Sequence, residues 1–119
     1  MSDRTDTREG HVLLHPKGRL HSTGDQPAVV YADGTQWWYC EGKIHRDGAP
    51  AVVWANGVEE WWQNGLRTKI VYPNRPPIAP ELRGVTQNWS AGRLVSEAVP
   101  PLVARYRQLV AAAYKACFA

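Results

Sequence analysis

Pro27-Ala28-Val29-Val30-Tyr31-Ala32-Asp33-Gly34 returns 23 positions later as Pro50-Ala51-Val52-Val53-Trp54-Ala55-Asn56-Gly57. The match continues downstream, where Trp38-Tyr39 falls on Trp61-Trp62 and Gly42 on Gly65. Upstream, Gly18-Arg19-Leu20-His21 falls on Gly42-Lys43-Ile44-His45 once a single insertion near Asp25 is allowed. Partial copies flank the pair at 11–18 and 65–72. A repeat of this kind precedes any motif in importance, because each copy is one supersecondary unit.

The turn chemistry says which unit. Asp33-Gly34, Asn56-Gly57 and Asn64-Gly65 fit two-residue type I′ turns, whose positive φ angles suit Gly, Asn and Asp. Glu41-Gly42 stands where a fourth is expected. Short runs of Val, Trp, Tyr and Ile between them favour strands, so the first half reads as an antiparallel meander. With two residues per turn, Val29 faces Trp38 and Val52 faces Trp61. Tyr31 and Trp54 then share that face, since side chains alternate along a strand. The other face carries Val30, Trp37 and Tyr39 in one copy and Val53, Glu60 and Trp62 in the next. Glu60 is expected opposite Lys69. The charge-free face is expected to be the core.

The second half differs. Pro73, Pro76, Pro77 and Pro80 suggest a stiff, extended linker that stops the meander. A further hairpin is expected from Val85 to Val95 around Ser90-Ala91-Gly92, with Trp89 as its packing residue. Pro100-Pro101 suits a first helical turn, and Leu102, Val103, Tyr106, Leu109, Val110, Ala113 and Cys117 recur at helical spacing. The expected fold is therefore α+β, mainly β: an antiparallel meander of short hairpin repeats with one C-terminal amphipathic helix packed on the sheet. Its organisation is a flexible N-terminus (1–10), the hairpin-repeat sheet (11–72), a Pro-rich linker (73–84), and a hairpin plus helix of the same domain (85–119).

Composition bounds the function. The chain has 119 residues, enough for one domain, and its 44% hydrophobic and 21% charged content is ordinary. Six Trp and ten Arg against four Lys are not ordinary. No apolar run is long enough to span a membrane. The polar start lacks the apolar core of a secretory signal, and two cysteines suit a reducing compartment, so a cytoplasmic protein is expected. Residues 1–65 carry six Lys/Arg and nine Asp/Glu, whereas residues 66–119 carry eight and two. That asymmetry marks either an interaction surface or two halves that attract each other.

Catalytic and metal chemistry find little footing. His11 and His15 are four apart, but no partner ligands follow at metal-binding spacing. His21 and His45 are repeat-equivalent, which points to turn or packing roles. Glu59 and Glu60 point to opposite faces of a strand and cannot act as a paired acid and base. No catalytic residues, metal or cofactor are assigned, and the chain is expected not to be an enzyme. Direct nucleic-acid binding by Arg67, Lys69, Arg75, Arg83, Arg93, Arg105 and Arg107, with Trp or Tyr stacking on bases, is the main rival.

Ile44-His45-Arg46-Asp47-Gly48-Ala49-Pro50-Ala51-Val52-Val53, followed by Asn56-Gly57 and Trp61-Trp62, resembles a hairpin repeat of small phage and giant-virus proteins. It is loosely similar to MORN-type repeats, although the Tyr-Gly-Trp order and copy number of those repeats are absent. The resemblance covers about residues 15–70. It implies a non-catalytic protein-binding module carried by a phage or mobile element. By analogy with small phage proteins, it implies an inhibitor of a bacterial defence protein such as a CRISPR–Cas effector subunit, acting in the host cytoplasm. The expected partner-binding residues are Trp37, Tyr39, Glu60 and Trp62, with Arg105 and Arg107 as a second patch, because Trp, Tyr and Arg dominate binding hot spots. The alternative is that these rings complete the core or a homodimer interface, leaving a structural homo-oligomeric repeat protein.

Overall fold

The computed structural model describes residues 4–7, 10–13, 22 and 25–118. Its strands are β1 (Arg4–Thr7), β2 (Gly10–Leu13), β3 (Val29–Tyr31), β4 (Gln36–Trp37), β5 (Tyr39–Cys40) and β6 (Lys43–Ile44). The series continues with β7 (Val52–Val53), β8 (Glu59–Gln63), β9 (Leu66–Val71), β10 (Thr86–Ser90) and β11 (Arg93–Ala98), and closes with helix α1 (Pro101–Phe118). Among the described residues, nine strands make one antiparallel sheet in the order β1-β2-β3-β4-β7-β8-β9-β10-β11, and β5-β6 form a separate ribbon. This is the mainly β, α+β class with one C-terminal helix. β1 lies inside the stretch expected to be a flexible terminus.

The repeat is echoed bond for bond. Ala28 N–H donates to Trp37 C=O as Ala51 N–H does to Glu60 C=O, each at 2.8 Å. Ala28 and Ala51 are both fully buried, so the Pro-Ala-Val motif places the same small residue in the core of each copy. Tyr31 N–H donates to Thr35 C=O and Gly34 N–H to Tyr31 C=O; in the second copy Trp54, Val58 and Gly57 make the same two bonds.

Those bonds correct the expected register. Each closes a three-residue loop, Ala32–Gly34 or Ala55–Gly57, in which only the glycine takes a positive φ (Gly34 95°, Gly57 92°). A type I turn followed by a left-handed glycine produces this hairpin. Asp33 Oδ1 accepts the Thr35 amide and Asn56 Oδ1 the Val58 amide, which favours the longer loop. Val29 therefore pairs with Trp37, not Trp38, and Val52 with Glu60, not Trp61. A one-residue slip turns every side chain to the opposite face. Glu60 pairs with Ile70, and Lys69 pairs with Trp61 instead. The turns at Glu41-Gly42 and Asn64-Gly65 do hold two residues each, with both φ angles positive, and so does Ala91-Gly92.

One row of cross-strand partners now runs Val29, Trp37, Val52, Glu60, Ile70, Gln87, Glu97. Val29, Val52 and Ile70 in that row are buried, so this is the inner face. The radius of gyration, 17.8 Å, exceeds the roughly 13.5 Å of a compact chain this long, which fits a single sheet with a shallow core.

The Pro-rich stretch is not an extended linker. Its base is closed by Tyr72 N–H to Val85 C=O and Gly84 N–H to Pro73 C=O, and β9 pairs directly with β10. Ile78 at its middle is buried with Val58 and Ile70, flanked by Tyr72, Leu82 and Trp89. Burial of Ile78 drives the excursion back over the sheet, where an apolar side chain gains about 1.5–3 kcal/mol. That occupancy changes how α1 packs. Val103 is buried, and Arg107 donates to Glu97 on β11 and to the Glu81 carbonyl of the short 3-10 turn Pro80–Leu82. Beyond this, Leu102, Tyr106, Leu109, Val110 and Tyr114 remain exposed, because the loop already fills the adjacent inner face.

Candidate functional site

Of the residues expected to meet a partner, Trp37 and Glu60 stand in the inner row, and Tyr39 and Trp62 contact them directly. Trp37 on β4 stacks on Tyr39 (ring centroids 6.2 Å apart, 13° between planes). It also meets Tyr31 at 70° and Trp54 at 75°, with centroids 6.5 and 5.6 Å away. Burial, helped by the Tyr31 hydroxyl, lifts the Tyr39 phenol above its ordinary pKa.

Glu60 occupies the position equivalent to Trp37, and it is buried. Its carboxylate accepts the Trp54 indole N–H through Oε2 and the Trp62 indole N–H, at 3.0 Å, through Oε1. Arg67 Nη1 lies 3.6 Å from the same Oε1. A buried carboxylate is tolerated when its lone pairs are hydrogen-bonded and a cation stands by. Glu60 thus joins two tryptophans and an arginine across three strands.

Arg67 continues the chain of contacts: its guanidinium stands 5.9 Å from the Trp62 ring centre and 4.2 Å from that of Trp89. On the outer face Lys69 covers Trp61 at 4.1 Å. Trp38, where the chain passes from the main sheet to the ribbon, is buried under Arg46 at 3.9 Å, and its indole N–H donates to Asp25 C=O. Arg46 in turn reaches the Asp25 carboxylate and Pro50 C=O. His45 Nδ1 accepts the Asn64 amide, which is the turn role its repeat position suggested. His15 and His21 lie outside the described residues, and of His11 only the backbone pairing is described.

Arg105 and Arg107 part company. Arg105 is exposed on α1, whereas Arg107 holds the helix to β11 through Glu97, which also accepts from Gln87. Those two bonds, the Arg107 one first, hold the Glu97 carboxyl below the ordinary glutamate range.

No protein-family model, curated protein or solved structure matches this chain. The site therefore rests on its own geometry. Two surfaces stand out from it. One is the exposed apolar stripe of α1, with Leu102 83%, Tyr114 67% and Leu109 59% exposed. The helical spacing of Leu102, Tyr106, Leu109 and Val110 marks this stripe in the sequence, but turns it toward the sheet and leaves out Tyr114. The other is an open hollow of about 510 Å³ walled by Tyr31, Trp37 and Trp54, with Asp33 and Thr35 at its rim. The slipped register hid this second surface by placing Trp37 on the wrong side of Tyr31 and Trp54. Among the described residues, no helix is long and apolar enough to cross a membrane.

Proposed function

We propose that this chain is a non-catalytic protein-binding module that lays α1 into an apolar groove on a partner protein. The exposed stripe Leu102, Tyr106, Leu109, Val110 and Tyr114 carries the reading. Its spacing is that of helix-in-groove recognition, and apolar surface left contiguous on a small protein marks an interaction site. Arg105, exposed on the same helix, adds a charge beside it. The rings and carboxylate at Trp37, Tyr39, Glu60 and Trp62 then support the scaffold. The likeness of the repeat to phage proteins supports a host defence protein as partner, such as a CRISPR effector subunit, met in the bacterial cytoplasm.

Direct nucleic-acid binding has less support, because several cations of the basic half have internal duties. Arg67 packs on Trp89 and pairs with Glu60, Lys69 packs on Trp61, Arg83 donates to Ile78 C=O, and Arg107 pairs with Glu97. The test is plaque formation on a strain with active CRISPR immunity that expresses the chain. Wild type is expected to restore plaques, and Leu102→Glu with Leu109→Glu to lose that effect at unchanged melting temperature. No restoration by wild type refutes the defence partner; equal restoration by the variant refutes α1 as the surface.

A further inference from the structure

We propose that the hollow between Tyr31, Trp37 and Trp54 binds the head of an organic cation, an alkylated ammonium above all. The site sits at the β3-β4-β7 side of the sheet, whereas α1 packs on the Pro80–Leu82 turn and reaches β11 through Arg107, so it is independent of the partner surface on the helix.

The distribution of cations over the tryptophans leads to it. Trp38, Trp61, Trp62 and Trp89 each have an Arg or Lys of this chain over the ring. Trp37 and Trp54 have none among the described residues, yet these two line the hollow with Tyr31. Their planes suit a cation. Tyr31 and Trp54 stand at 70° and 75° to Trp37, giving walls set steeply against a third ring rather than a closed stack. Aromatic faces arranged around an open space attract a cation through the ring quadrupole and are the recurring receptor for quaternary ammonium groups.

Charge agrees with shape. Asp33 stands at the rim and has no ion-pair partner among the described residues. Its carboxylate accepts the Thr35 amide, and that bond holds its pKa below the ordinary aspartate value, so it is ionised at neutral pH. Behind the wall, Glu60 accepts the Trp54 indole N–H, which fixes the ring and enriches its electron density. The second repeat has no such site: Asn56 replaces Asp33, and Glu60 itself stands in place of Trp37. The hollow is thus a feature of the first copy, set where the two copies meet.

Indole N–H resonances of the full-length protein provide the readout, with three probes: tetramethylammonium, N-acetyl-trimethyllysine amide, and its neutral tert-butyl isostere. Saturable shifts at Trp37 and Trp54 are expected with both cations, while Trp61 and Trp89 stay in place. The neutral isostere is expected to bind at least tenfold more weakly, and Asp33→Asn to weaken the cations severalfold. Tyr31→Ala, which removes one wall without touching Glu60, should weaken them further. Tighter binding of the lysine derivative than of tetramethylammonium assigns the cation to a side chain, and equal binding to a free small molecule. Equal affinity for the neutral isostere, shifts confined to other tryptophans, or no saturable shift at all overturns the proposal.

Discussion

Replacing Glu60 separates a scaffold role from a surface role. Its carboxylate accepts two indole N–H bonds and faces Arg67, and it is only 9% exposed. Hydrogen bonds to a charged group contribute about 1.5–3 kcal/mol each, and the cost of burying the carboxylate offsets part of that. Trp54 is 37% exposed, so water recovers some of its lost bond. Arg67 would recover less, because its Nε is already buried without a partner among the described residues. The net cost of Glu60→Ala is about 3 kcal/mol, at the lower end of what breaking a buried pair costs. With an unfolding entropy of about 0.25 kcal/mol/K for a chain of this length, the melting temperature should fall by about 12 °C. Glu60→Gln keeps one accepting oxygen and the shape, and should fall by about 5 °C, for a loss of roughly 1.2 kcal/mol. Thermal unfolding followed by circular dichroism and tryptophan emission measures both. A shift within about 2 °C for Glu60→Ala, the range of a surface substitution, would show that the carboxylate does not hold these strands.

The contact of Arg107 with Glu97 should make helix docking acid-sensitive. Because the folded-state pKa of Glu97 is depressed, its contribution is complete above the ordinary glutamate value of about 4.3 and lost as pH falls through the lowered one. Amide exchange in the first turns of α1 should accelerate below that range, and Arg107→Gln should flatten the dependence; an unchanged profile counts against the contact. Among loop glycines, Gly57→Ala should destabilise more than Gly34→Ala. Both pay about 1–2 kcal/mol for positive φ, but a Cβ at Gly57 meets Pro73 Cγ at 3.2 Å whereas Gly34 faces open space. Equal melting temperatures would mean that the Pro-rich loop does not rest on that hairpin.

The repeat made the meander and its turns legible, since Asn64-Gly65 and Glu41-Gly42 need two positive φ angles and take them. It did not reveal the loop length at Asp33 and Asn56. An Asx-Gly pair closes a two-residue turn when both residues are left-handed, and a three-residue loop when only the glycine is. The side chains decide: Asp33 and Asn56 each bond the amide two residues on, a local choice that strand patterning does not register. Glu60 misled for a related reason. A charge ordinarily marks the outer face, but two indole donors and Arg67 make an inner position tolerable. The helix was legible from its spacing, while its limited docking depended on Ile78, buried by a loop whose four prolines suggested extension.

Cross-strand proton–proton contacts in solution test the register most directly, because the aromatic hollow, the Glu60 network and the inner face all follow from it. Backbone contacts are expected between Val29 and Trp37 and between Val52 and Glu60, with Trp37 side-chain contacts to Tyr31 and Trp54. Backbone contacts pairing Val29 with Trp38 and Val52 with Trp61 would contradict the account, returning Trp37, Glu60 and Trp62 to the opposite face.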